Sequence, residues 1–202
     1  MIGIIDYGVG NLFSLISSLK YLGLKSVVVA DKAGAENCDR LILPGVGAFG
    51  DAMEKLRQTG LDETLIKEAK KGKPVLGICL GMQMLFDKSY EYGEHGGLSL
   101  IGGEVCPLSA DVKGLKIPHM GWNDLHFEKD DELFKYNKEG DFVYFVHSFY
   151  AKNCAPFVTA TTLYGVEVTA AVRKDNVFGT QFHPEKSGDT GLKMLKAFAE
   201  VK

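Results

Sequence analysis

The chain has 202 residues, 46% apolar and 24% charged, a balance ordinary for a globular protein and long enough for a sizeable core. Its formal net charge of −3 gives no footing for a general nucleic-acid or anionic-membrane surface. No apolar run approaches the ~18 residues that span a bilayer and no basic leader opens the chain, so one cytoplasmic domain over residues 1–202 is expected.

The first half alternates strand and helix signals. Ile2–Ile5 reads as a strand, and Leu12, Leu15, Ile16 and Leu19 recur at helical spacing within Asn11–Leu22. Ser26–Ala30 and Arg40–Leu43 read as further strands joined by a short polar loop. Ala48–Arg57 and Leu61–Lys70 read as helices punctuated by Gly60 and Gly72. Pro74–Ile78 is apolar on both faces, as a buried parallel strand is. Glu91–Gly103 is glycine-rich and loop-like. Strand candidates follow at Glu104–Leu108, Trp122–Phe127, Phe142–Tyr150, Val158–Leu163, Val166–Arg173 and Val177–Phe182, before an amphipathic helix over Thr190–Val201. The pattern predicts an α/β fold: a mostly parallel sheet flanked by helices, with an antiparallel-rich second half.

Of the four cysteines, Cys38, Cys106 and Cys154 lack a special context, and no Cys-x-x-Cys pair exists. Cys79 differs. It sits in Gly77-Ile78-Cys79-Leu80-Gly81-Met82-Gln83, after a strand-like run and before an apolar helical pattern, the layout of a nucleophile elbow with a thiol in place of serine. The flanking glycines are expected to let the backbone turn tightly, and the helix amino end to favour a thiolate.

A thiol nucleophile needs a base, and the base an orienting group. His183 ends the strand candidate Val177–Phe182 and is followed by Pro184-Glu185. An extended backbone would project residues 183 and 185 to one side, with Glu185 fixing the imidazole tautomer. Leu80 N–H offers one oxyanion donor, and Pro44-Gly45-Val46-Gly47 a second; the same loop reads equally well as an ordinary strand-to-helix turn. Gly8-Val9-Gly10 does not make a dinucleotide loop, because Phe13 occupies the third glycine position. His119 and His147 lie outside recognisable ligand spacing, so no metal and no cofactor is expected.

These residues resemble the class I, triad-type glutamine amidotransferases, and most closely the glutaminase subunits of imidazole glycerol phosphate synthases. The resemblance runs over essentially the whole chain: Ile5–Asn11, Leu43–Phe49, Gly77–Gln83, Pro118–Asn123, Tyr144–Tyr150 and Gln181–Gly188. It implies a flavodoxin-like sheet and a Cys79, His183, Glu185 triad that hydrolyses glutamine through a γ-glutamyl thioester. It further implies an oxyanion hole at Val46 and Leu80, and glutamine contacts at Gly45, Gly47, Gln83, Ser148 and Phe149. Ammonia would pass to a (β/α)₈ cyclase subunit in a heterodimer, which makes imidazole glycerol phosphate and aminoimidazole carboxamide ribotide in histidine biosynthesis. The contact with that partner would involve Asn11, His119, Met120, Trp122, Asn123 and Lys186, although core packing accounts equally well for Trp122 and its neighbours. Pro44–Gly47 would be a moving part that keeps the isolated subunit idle. Another glutaminase of the same class, or a silent regulatory subunit, would fit fewer of these segments.

Overall fold

A computed structural model describes residues 1–201. Strand and helix alternate through Met84 as β1 (Ile2–Ile5), α1 (Leu12–Tyr21), β2 (Ser26–Val29), α2 (Lys32–Glu36), β3 (Arg40–Gly45), α3 (Phe49–Thr59), α4 (Leu61–Lys70), β4 (Val75–Cys79) and α5 (Leu80–Met84). The second half supplies β5 (Lys88–Ser89), β6 (His95–Gly96), β7 (Glu104–Pro107), β8 (His119–Asp124), β9 (His126–Phe127), β10 (Phe142–His147) and β11 (Phe149–Lys152). It ends with β12 (Val158–Tyr164), β13 (Val166–Lys174), β14 (Val177–Thr180) and α6 (Gly188–Ala199).

The main sheet has eight strands in the order β2-β1-β3-β4-β14-β13-β12-β9. It is parallel from β2 to β14 and antiparallel from β14 to β9. Alternation feeds two cores from the same strands. Ile5, Leu41, Leu43 and Val75 pack on one face against α3 and α4, through Met53, Leu56, Leu61 and Leu65. Ile4, Ile42, Leu76 and Ile78 pack on the other against Leu15 and Leu19 of α1 and Met194, Leu195 and Phe198 of α6. Both faces being covered is why these strands read as unbroken apolar runs.

Several expectations are corrected. The segment between β2 and β3 is not a plain loop: Asp31 Oδ1 accepts from Gly34 N–H at 2.7 Å and caps the one-turn helix α2. The strand expected at Trp122–Phe127 begins at His119 and breaks at Leu125, which is fully buried while its neighbours pair elsewhere. Phe142–Tyr150 divides at Ser148. Residues before it pair with β8, bringing His147 opposite His119, and residues after it pair with β7 in another sheet. The strand expected to reach Phe182 stops at Thr180.

Candidate active site

Cys79 ends β4 and forms the N-cap of α5 with φ 54° and ψ −110°. This is a sparsely populated backbone region for a side-chain-bearing residue, costing about 1–3 kcal/mol. The flanking glycines serve close packing rather than the turn. Neither Gly77 nor Gly81 takes positive φ, and the strained conformation falls on the cysteine itself. A Cβ at Gly81 would lie 1.8 Å from Leu43 O, and one at Gly77 2.6 Å from Gly81 O. Only bare backbone lets α5 fold back onto β3 and β4 and aim the sulfur outward from the carboxyl ends of the parallel strands.

His183 meets its partner by another route than an extended segment. Its own backbone is extended, but Pro184–Lys186 forms a 3₁₀ turn, which brings Glu185 Oε1 to 2.8 Å from His183 Nδ1. The turn is tied to β10: His183 N–H donates to Tyr144 O at 3.0 Å, Tyr144 N–H to Ser187 Oγ at 3.0 Å, and Ser187 Oγ–H to His183 O at 2.6 Å. Both side chains of the His–Glu pair are nearly inaccessible. Burial alone would push the imidazole down; Cys79 and Glu185 beside it outweigh that and raise it to about 9. With Nδ1 bound to a carboxylate, the imidazole presents Nε2 to the cleft, where it has no partner among the described atoms. Glu185 Oε2 is likewise buried without one.

A cleft of about 390 Å³ opens over the sulfur, lined by Val46, Gly47, Cys79, Leu80, Gln83, Glu91, Pro118, Val146–Phe149, His183 and Lys186. Leu80 is the first residue of α5, so its N–H has no acceptor a turn earlier in the helix. Val46 and Gly47 are exposed on the opposite wall. Gly45 does not line this cleft: it is buried, and a Cβ there would sit 2.9 Å from both Gly81 N and Tyr7 Oη. Tyr7 Oη donates to Pro44 O at 2.9 Å, fixing the end of β3.

Glu91 is the residue the motifs missed. It lies in the stretch read as loop, accepts from Phe49 N–H at 2.6 Å at the start of α3, and turns a partly buried carboxylate into the cleft. Burial raises its pKa above the usual carboxylate range, against the opposing Phe49 hydrogen bond. A lone acidic residue in a glycine-rich stretch gives no sequence signal of its own.

The expected partner-contact residues divide. Asn11 and Lys186 are exposed, and Met120 and Trp122 project from β8 with 62% and 53% of their surface accessible, so Trp122 is not a core residue. His119 is different: it is fully buried, stacked between Phe145 and Tyr164 with centroids 4.7 and 4.0 Å away. The strand alternates sides, so the neighbour of an outward Met120 points in. His119 Nδ1 lies 3.0 Å from His147 Nε2, and its Nε2 faces the Asn123 amide at 3.0 Å. His147 Nδ1–H donates to Phe149 O at 2.9 Å.

Burial, with the His119 and His183 charges adding to it, drives His147 down to about 3. The unfolded chain therefore takes up this proton near 6.5 while the folded chain refuses it. Stability from His147 is fully present above about pH 6.5 and falls as pH drops toward 3, by roughly 3–5 kcal/mol. His183 acts oppositely: its contribution is full below about 6.5 and is lost as pH rises through about 9. Urea midpoints across pH 4 to 10 are expected to peak between these limbs, and His147→Asn to flatten the acid limb.

The sequence pattern of the class-I glutamine amidotransferases matches residues 3–201. The chain belongs to this family. Its relatives lie among the imidazole glycerol phosphate synthase HisH subunits. The one from Caldanaerobacter subterraneus subsp. tengcongensis is 54% identical over 202 residues, covering 100% of this chain and 98% of the relative. That of Wolinella succinogenes is 48% identical over 204 residues with both chains fully covered, and that of Aquifex aeolicus 50% identical over 197, covering 96% and 94%. Among solved structures, a glutamine amidotransferase superposes with a TM-score of 0.77 at 22% identity, covering 99% of each chain. PurLQS from Thermotoga maritima gives 0.76 at 20%, covering 98% and 96%. These structural likenesses establish the class-I glutamine amidotransferase fold, a mostly parallel sheet with helices and some antiparallel strands. No helix among the described residues is long and apolar enough to cross a membrane.

Proposed function

We propose that this HisH-family chain is the glutaminase of an imidazole glycerol phosphate synthase, a single cytoplasmic domain that passes ammonia to the (β/α)₈ cyclase subunit HisF in a heterodimer. The observation that carries the chemistry is the strained Cys79 elbow sharing one cleft with a buried His183–Glu185 pair. Cys79 thiolate attacks the carboxamide carbon of glutamine; the C–N bond breaks as His183, an imidazolium at neutral pH, protonates the departing nitrogen. Water, deprotonated by His183, then cleaves the thioester to glutamate and restores the thiolate–imidazolium pair. Glu185 holds the ring in the tautomer this needs, and the N–H groups of Leu80 and Val46 receive the oxyanion.

Gln83, Gly47, Ser148 and Phe149 grip the amino-acid end of the substrate, with Gly45 acting through the shape of the β3 terminus. Glu91 supplies the negative partner for the substrate ammonium. Glu91→Gln is expected to raise KM for glutamine roughly 10- to 100-fold with a smaller change in kcat, measured by steady-state glutaminase assay. Met120 and Trp122, with the exposed Asn11 and Lys186, form the docking face for the cyclase; Asn123 lies on the other side of β8, bonded to His119, which links that face to the cleft through His147.

The test is ammonia release from glutamine by the chain alone and with HisF carrying its nucleotide ligand. Strong stimulation by the loaded partner is expected. Turnover indifferent to HisF would remove the partner assignment while leaving a glutaminase, and absence of turnover under both conditions would remove the hydrolytic reading.

A further inference from the structure

Gln181 is fully buried, two residues before His183, and nothing in the mechanism above uses it. Its backbone is fixed by Gln181 N–H donating to Ala170 O at 2.8 Å. Its side chain lies between two residues that do matter: Gln83 Nε2 is 3.0 Å from its Oε1, and Cys79 Sγ is 3.7 Å from its Nε2.

The direction of this chain of amides is fixed from its far end. Phe149 O lies 2.9 Å from the Gln83 side chain, and a carbonyl only accepts, so the Gln83 atom facing it is the NH₂. The same NH₂ faces Gln181, which must therefore turn its oxygen toward Gln83. That leaves the Gln181 NH₂ aimed at the sulfur. Reversing Gln83 would set its oxygen against two acceptor oxygens, and reversing Gln181 would set NH₂ against NH₂, inside the protein where an unmet contact costs most.

The geometry points to Gln181 as a fixed N–H donor to the Cys79 sulfur, stabilising the thiolate and holding the sulfur in place while His183 Nε2 is still without a partner. A thiolate accepts such a bond far better than a thiol does, so the donor favours ionisation. The relay also connects the wall of the substrate cleft, at Phe149 and Gln83, to the nucleophile. This rests on Cys79 being the nucleophile, but it is read from the sulfur itself and needs no glutamine turnover.

Alkylation of Cys79 by iodoacetamide, quantified on the Cys79 peptide by mass spectrometry, gives the rate against pH for the full chain. Gln181→Met keeps the volume and removes the donor; its profile is expected to shift upward by about one pH unit, a roughly tenfold slower reaction on the acid limb. Gln181→Glu replaces the donor by a carboxylate and is expected to shift the profile further. In the wild-type chain, the Gln181 side-chain amide resonances should move with the pH at which Cys79 ionises and lose that response after alkylation, a readout independent of whether either variant folds. Profiles that superimpose on the wild type, or amide resonances indifferent to Cys79 ionisation, would overturn the assignment.

Discussion

Cys79→Ala is expected to lower glutamine hydrolysis at least about a thousandfold while leaving the fold intact. The loss is large because every step runs through the sulfur: without it neither His183 nor the oxyanion donors have a tetrahedral adduct to stabilise. The fold survives because alanine at φ 54° carries the same backbone strain that cysteine already bears, and little is removed from the core. Cys79→Gly sharpens the expectation. It abolishes turnover equally but relieves the strained conformation, so its thermal midpoint is expected to equal or exceed the wild type, by about 1 kcal/mol in stability. Ammonia release and thermal unfolding on the same preparations check both arms. A glycine variant clearly less stable than alanine would show that the elbow carries no stored strain.

Gly81→Ala is the second large effect, and it acts on folding rather than chemistry. The new methyl would meet Leu43 O at 1.8 Å, and Leu43 belongs to β3, held by strand pairing to both β1 and β4. Neither side has a flexible end to yield. The expected cost exceeds about 3 kcal/mol and is seen as a collapse of soluble yield or of the urea midpoint. Gly77→Ala, at 2.6 Å from Gly81 O, is expected to cost less, in the same direction. Wild-type midpoints for Gly81→Ala would contradict the close approach described for α5.

The alternation of strands and helices was legible because central parallel strands such as Val75–Cys79 are apolar on both faces, a signal that needs no tertiary information. The segments that carry Cys79, His183 and Glu185 stand out because a thiol elbow and a His-Pro-Glu run are local patterns. Their geometry was less legible: the elbow's strain falls on Cys79 rather than on a glycine, and a 3₁₀ turn rather than an extended strand brings Glu185 to His183. What stayed hidden depends on register. The burial of His119 against His147 follows from the pairing of β8 with β10, and no spacing along the chain encodes a cross-strand partner. The switch of sheets at Ser148 looks, in sequence, like one long strand. Glu91 and Gln181 gain meaning only from what folds against them.

The loop between β3 and α3 has a further property that follows from its two anchors. Pro44 and Gly45 are paired with Ile78 and Cys79, and Tyr7 holds the Pro44 carbonyl; beyond the loop, Glu91 grips Phe49 N–H. The free segment is therefore Val46, Gly47 and Ala48, shorter at its start than the Pro44–Gly47 span expected from sequence. Three residues carry about six soft torsions, and fixing the position and orientation of the far end imposes as many conditions. A segment so constrained has a small set of separate closures instead of a continuous range. With glycine at position 47, already at φ 94°, the aim of the Val46–Gly47 peptide is a discrete variable, and a partner that favoured one closure would act on it as a latch.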